Sequence, residues 1–234
     1  MNSETGHLAT TMRLTSAGDR VSVRHAPLIA WPGWRHLAES TALALANLVW
    51  FELIFTACDA ITRQRALRVP IHTVLALEIP FVPSMSVVYL SMTLLLLAGP
   101  FILRTRQEFR AAIATLAAAI GIAGVFFLLI PAELAYPPVL ESELGIWAGA
   151  YHLADALNLT YNLVPSLHVA LTVVCVAAFS RHARAATRAV LWCWAVAIGL
   201  STLLTHQHHV IDAVSGWLLA LLCFRFVFVP MTRK

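Results

Sequence analysis

Long apolar runs, separated by short clusters of arginine, set the pattern of the chain. A transmembrane helix needs about 20 mostly apolar residues, and six of the runs approach that length. The six runs extend over about Leu37 to Cys58, Met85 to Leu103, Phe109 to Ile130, Leu163 to Ser180, Ala189 to Thr205 and His209 to Val229. The pattern therefore predicts an all-α, polytopic membrane protein whose six transmembrane helices form one bundle.

Two other segments do not fit a continuous transmembrane helix. An apolar stretch near residues 69-83 is interrupted by three prolines, which disrupt a helix interior. We expect it to form a broken interfacial segment. Residues 1–35 are polar and lack the apolar core of a signal peptide, so they are predicted to form a partly disordered cytoplasmic arm. Residues 36–234 then make a single six-helix membrane domain. Alanines and glycines in the third span, Gly121 and Gly124 among them, are expected to permit close helix packing.

Composition and charge support this interpretation. Hydrophobic residues make up 59% of the chain and charged residues 12%, against about half and a quarter in soluble domains. The net charge of +4 comes almost entirely from arginine, because Lys234 is the only lysine. The arginines form short clusters between apolar runs and not the continuous basic face of a nucleic-acid-binding protein. We therefore expect membrane lipids, and no nucleic acid, as partners.

The arginine clusters also predict the orientation in the membrane, because cytoplasmic loops are enriched in Lys and Arg. With six spans, the basic loops at 104–110 and 181–188 share the cytoplasmic side with both termini. Residues 131–164 contain no Lys or Arg and face outward. A short, Arg-rich membrane protein without a signal segment suggests a bacterial inner (plasma) membrane. One outer loop breaks the charge rule, because it carries Arg63, Arg65 and Arg68.

A polar cluster opens the predicted fourth span, where residues 162–168 read Asn-Leu-Val-Pro-Ser-Leu-His. Proline suits the first turn of a helix and serine caps one, so Pro165 and Ser166 predict a helix start at the outer surface. The free N–H groups and the positive end of the helix dipole favour an anion there, beside Ser166 and His168. Taken alone, the string is also explained by a capped helix start without a ligand.

A second polar cluster, Ser201 to Asp212, lies across the turn from the fifth span to the sixth. His208 and Asp212 are four residues apart, so on a helix they share one face and the carboxylate can accept an imidazole N–H. That pairing leaves the other ring nitrogen free as a nucleophile or base. Both clusters lie at the outer ends of their helices, which predicts one site that contains His168, His208 and Asp212.

Together the two clusters resemble the type 2 phosphatidic acid phosphatase (PAP2) superfamily of membrane lipid phosphatases and phosphotransferases. The Pro-Ser-x-His motif of that family is matched by Pro165, Ser166 and His168. A later family motif, Ser-Arg followed by a His and an Asp, is matched by Ser201, His208 and Asp212. Thr202 stands where the family has the Arg. The separation of the motifs is also similar, so the resemblance extends over about Phe109 to Val229.

The chain departs from the family in its first motif, which requires a Lys and, later, Arg-Pro. The sole lysine is Lys234 and no Arg-Pro occurs, so two phosphate-clamping cations are missing. A doubly charged phosphomonoester would then be poorly neutralised. Family branches such as inositol phosphorylceramide and sphingomyelin synthases are similar in relaxing this motif. A lipid head-group phosphotransferase is therefore the alternative to a lipid phosphatase. A further hypothesis assigns the missing charge to the outer-loop arginines, Arg63, Arg65 and Arg68.

The resemblance implies that the membrane domain is catalytic and acts on a lipid phosphate at the extracytoplasmic face through a phosphohistidine intermediate. His208 attacks phosphorus, Asp212 orients it, and His168 donates a proton to the leaving lipid alcohol. Tyr136 is expected at the lip of the pocket. The residues expected to bind phosphate oxygens are Ser166, Ser201, Thr202 and His206. The scheme needs no metal and no other cofactor.

Three other classes of function remain open at this point. His206, His208, His209 and Asp212 supply ligand types suited to a metal site. A serine hydrolase would use Ser166 with a histidine, although the usual glycine-flanked nucleophile turn is missing. A transporter with a His/Asp proton relay is disfavoured, because the sequence shows no inverted repeat and no matching pair of broken helices.

Overall fold

The computed structural model describes residues 27–233, and within that range the secondary structure is helical apart from one isolated β-bridge. The prediction of a disordered arm falls mostly on residues 1–26, which lie outside the described residues. The helices are α1 (Trp34–Arg63), α2 (Val74–Leu77), α3 (Met85–Leu90), α4 (Met92–Ile102), α5 (Arg106–Leu129), α6 (Glu141–Leu144), α7 (Ala148–Ala156), α8 (Leu167–Ser180), α9 (Ala185–Leu204), α10 (Val210–Cys223) and α11 (Val229–Thr232). The predicted all-α class is confirmed for this range.

Five helical segments of the described chain are long and apolar enough to cross a membrane. They are Trp34–Arg63, Met85–Ile102, Arg106–Leu129, Ala185–Leu204 and Val210–Thr232. The second joins α3 to α4 through Ser91, and the fifth joins α10 to α11 through a π-helical turn at Phe224–Phe228. The ends of four of these segments lie within about four residues of the ends of the predicted spans. The remaining segment, α1, extends beyond its predicted span at both ends.

The predicted fourth span is shorter than the sequence suggested. Its helix, α8, has 14 residues, about 21 Å at 1.5 Å per residue, whereas the hydrocarbon core of a bilayer is about 30 Å thick. The helix begins at Leu167 because Pro165 precedes it and Ser166 caps it. Every α8 residue except His168 is buried, and α4, α5, α9 and α10 pack around it. The helix is therefore the centre of the bundle.

The longest helix, α1, lies at the periphery and packs along α5. Small residues of α5 make this possible: a Cβ at Gly124 would lie 2.5 Å from Ile54 Cγ2, so only glycine fits without a shift. Cys58 Sγ donates to the Gly124 carbonyl at 3.4 Å, and Trp50 Nε1 donates to the Ala117 carbonyl at 3.1 Å. The predicted close approach at these small residues is confirmed.

The proline-interrupted segment near residues 69-83 contains only one helical turn, α2, as its prolines predict. The segment is attached to the ends of two long helices. Val69 N–H donates to the Pro131 carbonyl at 3.0 Å, just after α5, and Val82 N–H donates to the Leu204 carbonyl at 2.7 Å, at the end of α9. It therefore runs across the end of the bundle that carries both polar motifs.

The basic loops meet at the opposite end of the bundle. Glu39 of α1 forms ion pairs with Arg106 (3.0 Å) and Arg110 of α5. Thr105 caps the start of α5 by accepting the Glu108 N–H. The Glu108 carboxylate lies 3.1 Å from His182 of the α8–α9 loop. Gln107 donates to the Met231 carbonyl at 2.7 Å. The loops that carry most arginines thus gather at one end, with the C-terminal helix, and the motifs gather at the other.

Candidate active site

The two polar motifs meet where the start of α8 touches the start of α10. Ser166 N–H donates to the Asp212 carbonyl at 3.0 Å. One turn further along α10, a Cβ at Gly216 would lie 2.4 Å from the Ser166 carbonyl oxygen, so glycine is required at this contact. The two helices therefore approach each other closely at the level of both motifs. This contact joins segments that are about 40 residues apart in the sequence.

His208 and Asp212 form the predicted pair, with His208 Nδ1 3.3 Å from Asp212 Oδ2. Both side chains are buried, at 4% and 0% exposure. The two residues do not share a helix, because α10 begins only at Val210 and His208 lies in the preceding turn. Asp212 sits in the first turn of α10, where its Oδ2 also accepts the His209 N–H at 2.8 Å. The carboxylate thus caps the helix, a position that the helix dipole favours for a negative charge.

The Asp212 contact determines which nitrogen of His208 is free. A carboxylate accepts hydrogen bonds, so the Nδ1 of His208 carries a hydrogen and donates it to Oδ2. The Nε2 atom then has a free lone pair in the neutral ring. The geometry therefore leaves one unprotonated imidazole nitrogen for chemistry.

His168, the second residue of α8, is held from the other side. Its Nε2 lies 2.8 Å from the carbonyl oxygen of Tyr89, and its ring stacks on the Tyr89 ring with 3.7 Å between centroids and 20° between planes. The Tyr89 carbonyl and ring belong to α3, 79 residues earlier in the chain. The site is thus assembled from α3, α8 and the α9–α10 turn.

A cavity of about 410 Å³ is lined by both histidines, His168 and His208. Its other walls come from α1, α3, α4, α5 and the loop before α8, and they are mostly apolar. At its outer edge lie Leu48 of α1 and Leu96 of α4, which are 52% and 37% exposed. The two histidines therefore stand at the inner wall of a cavity that opens between α1 and α4.

A family model described as the PAP2 superfamily matches residues 65–226, which is more than half of the chain. The chain belongs to the PAP2 superfamily. The match begins well before Phe109, where the resemblance seemed to start, and so includes the segment that connects α1 to α3. Comparison with curated proteins and with solved structures finds no match.

The PAP2 resemblance implied that Ser166 binds phosphate, and the structure places it at the N-cap of α8. Its Oγ accepts the Val169 N–H at 3.3 Å, and the first helical bond runs from Ala170 N–H to the Ser166 carbonyl. The N–H groups of Leu167 and His168 precede that bond and take no part in the helical ladder. Both residues line the cavity. The start of α8 thus offers two N–H groups and a positive dipole end beside the histidines.

Ser166 itself is buried and is not part of the cavity lining, and the other predicted phosphate ligands also lie apart from it. Ser201 Oγ donates to the Ile198 carbonyl at 2.7 Å and Thr202 Oγ1 to the Gly199 carbonyl at 2.8 Å, both within α9. The Thr202 carbonyl accepts the N–H groups of Gln207 (3.0 Å) and His208 (3.1 Å) and so holds the turn. The structure therefore places both residues as supports of the turn that carries His208.

His206 also faces away from the pair, because its backbone adopts a φ of 56° and its Nε2 donates to the Ile79 carbonyl at 2.9 Å. His209 accepts from the Ala135 N–H at 3.2 Å. Of the four side chains that suggested a metal site, His208 and Asp212 bond to each other and the other two bond elsewhere. The described residues contain no group of three or more His, Cys, Asp or Glu arranged to hold a metal ion.

Tyr136 packs on the motif turn and not at the lip of the cavity. Its ring stacks on His206 (4.0 Å between centroids) and on His209 (4.6 Å). Its hydroxyl lies 3.3 Å from the Ala76 carbonyl and 3.4 Å from the His208 carbonyl, and it donates its one hydrogen to this pair of acceptors. Burial raises the pKa of this hydroxyl, and the charge of Asp212 raises it further. The hydroxyl therefore stays protonated and remains a donor that clamps the turn.

The arginines predicted to lie in an outer loop contact other protein groups. Arg63 forms an ion pair with Asp59 at 2.7 Å, and Arg65 donates to the Leu128 carbonyl. The guanidinium of Arg68 lies 4.3 Å from the centre of the Tyr161 ring and 3.7 Å from Glu133. No Arg or Lys is among the described residues that line the cavity. The hypothesis that these arginines bind the phosphate gains no support from their positions.

Three polar residues near the histidines were not predicted from the sequence as part of the site: Tyr89, Asn158 and Gln207. They form one hydrogen-bonded chain beside the cavity. Tyr89 is a single tyrosine within an apolar run, and Asn158 lies in an outer loop with no motif, so neither carries a local signal. Gln207 could have been singled out, because it stands next to His208 within the second motif.

Proposed function

We propose that this PAP2 superfamily member is an integral membrane lipid phosphatase that works through a phosphohistidine on His208. The observation that carries the proposal is the cavity with His168 and His208 at its inner wall and exposed apolar side chains at its edge. An apolar, laterally open cavity suits an acyl chain, and two histidines on its wall suit phosphoryl transfer. A soluble phosphate ester would not need the apolar cavity.

In the first step, His208 Nε2 attacks the phosphorus of the lipid phosphate. The Nε2–phosphorus bond forms as the bond from phosphorus to the lipid oxygen breaks. His168, in its protonated form, gives a proton to that oxygen, so the lipid leaves as a neutral alcohol. Asp212 accepts the His208 Nδ1–H and stabilises the positive charge that develops on the ring. The N–H groups at the start of α8 hold the phosphate oxygens.

In the second step, His168 is neutral and removes a proton from water while the water oxygen attacks phosphorus. The Nε2–phosphorus bond breaks, inorganic phosphate leaves, and the proton remains on His168 for the next cycle. The roles of acid and base are thus exchanged on one residue between the steps. No other group is required to balance the protons.

The proposed orientation places this reaction at the extracytoplasmic face. α8 completes six crossings as a short, protein-enclosed span, and both termini lie in the cytoplasm. The arginine-rich loops at the end of the bundle opposite the motifs support this orientation under the positive-inside rule. Accessibility of single cysteines to a membrane-impermeant reagent, placed at residues 143 and 186, tests it: only the former should react in intact cells.

The decisive experiment incubates purified protein in detergent with phosphatidic acid, an isoprenyl diphosphate and a lipid A phosphate, and measures released phosphate. We expect release from at least one lipid, inhibition by vanadate, and none of either in His208→Ala. His152→Ala is the matched control, because His152 is half-exposed on α7 and pairs with Glu141 outside the cavity. Full turnover by His208→Ala would disprove the mechanism.

One observation favours a second candidate, a lipid head-group phosphotransferase. Among the described residues that line the cavity, Glu52 is the only Asp, Glu, Lys or Arg. A carboxylate without a nearby cation disfavours a doubly charged phosphomonoester, whereas a phosphodiester carries a single negative charge. An acceptor lipid alcohol would then take the place of water in the second step.

The same incubation separates the two candidates when phosphatidylcholine, phosphatidylethanolamine and phosphatidylinositol are added with ceramide or diacylglycerol as acceptor. A phosphatase releases inorganic phosphate from a monoester whether or not an acceptor is present. A transferase releases none and forms a new phosphodiester only with the acceptor. Glu52→Gln adds a second criterion, because loss of the carboxylate should improve binding of a monoester.

A further inference from the structure

The support of His168 lies outside both motifs. Tyr89 is 1% exposed and contributes two contacts: its carbonyl accepts the His168 Nε2–H at 2.8 Å, and its ring covers the imidazole at 3.7 Å. A backbone carbonyl only accepts hydrogen bonds, so this contact keeps the hydrogen on Nε2. The Nδ1 atom of His168 then has the free lone pair.

The carbonyl of Tyr89 lies beside an interruption of the helix. α3 ends at Leu90 and α4 begins at Met92, with Ser91 between them. Carbonyls in the last turn of a helix lack partners in the helical ladder and bond to side chains instead. The Ser91 hydroxyl bonds to the Val88 carbonyl at 2.5 Å and accepts the Trp194 Nε1–H at 2.9 Å. The break is therefore fixed to α9, and it presents the Tyr89 carbonyl to α8.

The Tyr89 hydroxyl begins a chain of hydrogen bonds that returns to the other histidine. It donates to Asn158 Oδ1 at 2.9 Å, and Asn158 Nδ2 donates to Gln207 Oε1 at 2.7 Å. Gln207 Nε2 lies 3.3 Å from Asp155 Oδ1, to which it donates. Gln207 directly precedes His208 in the chain. One continuous network thus connects the turn that carries His208 with the ring that covers His168.

We propose that Tyr89 and Asn158 are positioning residues for His168: they hold its ring with Nε2 protonated, and they couple its position to the turn that carries His208. Under the proposed function, Nδ1 is then the atom that gives a proton to the leaving lipid oxygen and later takes one from water. The inference rests on the proposed function for this catalytic consequence, but the tautomer that it requires can be measured without any turnover.

The tautomer test uses the full-length protein with ¹⁵N-labelled histidine in detergent, and long-range ¹H–¹⁵N correlation spectra at pH 8. His168→Gln identifies the His168 signals by their absence. We expect Nε2 of His168 to carry the hydrogen and Nδ1 to be bare. Tyr89→Leu keeps the carbonyl but loses the ring that holds the imidazole against it, so we expect a mixture of the two tautomers. A protonated Nδ1 in the unaltered protein would overturn the proposal whatever the reaction is.

The kinetic test compares dodecyl phosphate with a dodecyl-substituted nitrophenyl phosphate. The nitrophenolate leaves without a proton, so its first step does not need His168 as an acid. Tyr89→Leu should lower kcat on dodecyl phosphate roughly 10²-fold with little change in KM, yet keep the full burst of nitrophenol that reports phosphorylation of His208. A loss of burst amplitude together with kcat would show a merely structural role and would overturn the proposal.

Three further variants grade the effect. Tyr89→Phe keeps the ring and the carbonyl but loses the hydrogen bond to Asn158, so kcat should fall about fivefold. The kcat of Asn158→Ala should agree with that of Tyr89→Phe within about twofold. Tyr151→Phe is the control, because the Tyr151 ring packs on Phe81 of the neighbouring loop and lies outside the network. If Tyr89→Phe and Asn158→Ala both behave like this control, the coupling to the turn is absent. If His208→Ala retains turnover, the proposed function fails while the tautomer result stands on its own.

Discussion

His208 and His168 line the same cavity, but their rings are held by different kinds of group. His208 donates its Nδ1–H to the buried carboxylate of Asp212, whereas His168 donates its Nε2–H to the neutral carbonyl of Tyr89. The carboxylate both fixes a tautomer and stabilises a positive ring. The carbonyl fixes a tautomer and supplies no charge.

This difference supports the proposed roles of the two histidines. A nucleophilic imidazole becomes positively charged when it binds phosphorus, so the histidine next to a carboxylate suits that part. A proton carrier must return readily to its neutral form, and a ring held by a carbonyl and an aromatic face does so more easily. The structure therefore favours His208 as nucleophile and His168 as acid and base, on grounds that do not depend on the family motifs.

The largest effect is expected from His208→Ala. Removal of the nucleophile should lower turnover on the best lipid substrate by about 10⁴-fold or more, and acid-labile, base-stable phosphohistidine should be lost from the enzyme. The measurement is phosphate release together with ³²P incorporation. His152→Ala should retain both. If His208→Ala still incorporated ³²P, another residue would be the nucleophile, and the roles proposed for the two histidines would be wrong.

Asp212→Asn should be nearly as severe, with kcat reduced roughly 10³-fold. The amide keeps the size of the side chain, but it removes the charge and presents a donor to His208 Nδ1, which favours the wrong tautomer. The expected readout is a lower rate of phosphoenzyme formation in rapid-quench experiments. Glu141→Gln is the control, because Glu141 is an exposed acid at the start of α6. Equal rates of phosphoenzyme formation in Asp212→Asn and Glu141→Gln would show that the Asp212 carboxylate does not activate His208 as the nucleophile.

His168→Gln should lower kcat by about 10²-fold on a lipid with a poor leaving group while it preserves phosphorylation by the nitrophenyl ester. Since His168 also activates water, the phosphoenzyme should accumulate in this variant and never in His208→Ala. Rapid-quench trapping with ³²P measures the level. A variant that neither forms nor accumulates phosphoenzyme would place the two histidines in the same step.

Gly216→Ala tests the contact that brings the histidines together. The added Cβ would lie 2.4 Å from the Ser166 carbonyl, so α8 and α10 must move apart. We expect a loss of about 1–3 kcal/mol in stability, seen as a lower unfolding midpoint in detergent, and a lower kcat. Gly149→Ala meets no atom within 4 Å and should change neither. An unchanged midpoint in Gly216→Ala would show that this contact is looser than the structure indicates.

The smallest effect is expected from Ser201→Ala and Thr202→Val. Their hydroxyls bond to carbonyls of their own helix, away from the cavity lining, so KM for the lipid should change less than about threefold in each. Michaelis–Menten titration of the best lipid gives the value. A tenfold rise in KM would show that these hydroxyls bind the lipid phosphate together with the two histidines.

Much of this arrangement is readable in the sequence. Pro165 and Ser166 predict the start of α8, and the capped helix begins where they indicate. The spacing of His208 and Asp212 predicts their pairing, although the helix begins two residues after His208 and the pair forms across the cap. Local chemistry suffices in both cases because the interacting groups lie within one turn of each other.

The sequence by itself determined the apolar spans, the helix start at Ser166 and the histidine–aspartate pair. Only the tertiary structure decided that α8 is enclosed by protein and that Tyr89 supports His168. Hydropathy measures the preference of a side chain for leaving water, and lipid and protein interiors satisfy it equally, so a central helix and a lipid-facing helix look alike in sequence. The Tyr89 contact joins residues 79 positions apart through a backbone carbonyl, a group that every residue carries, and only the packing of α3 against α8 selects it.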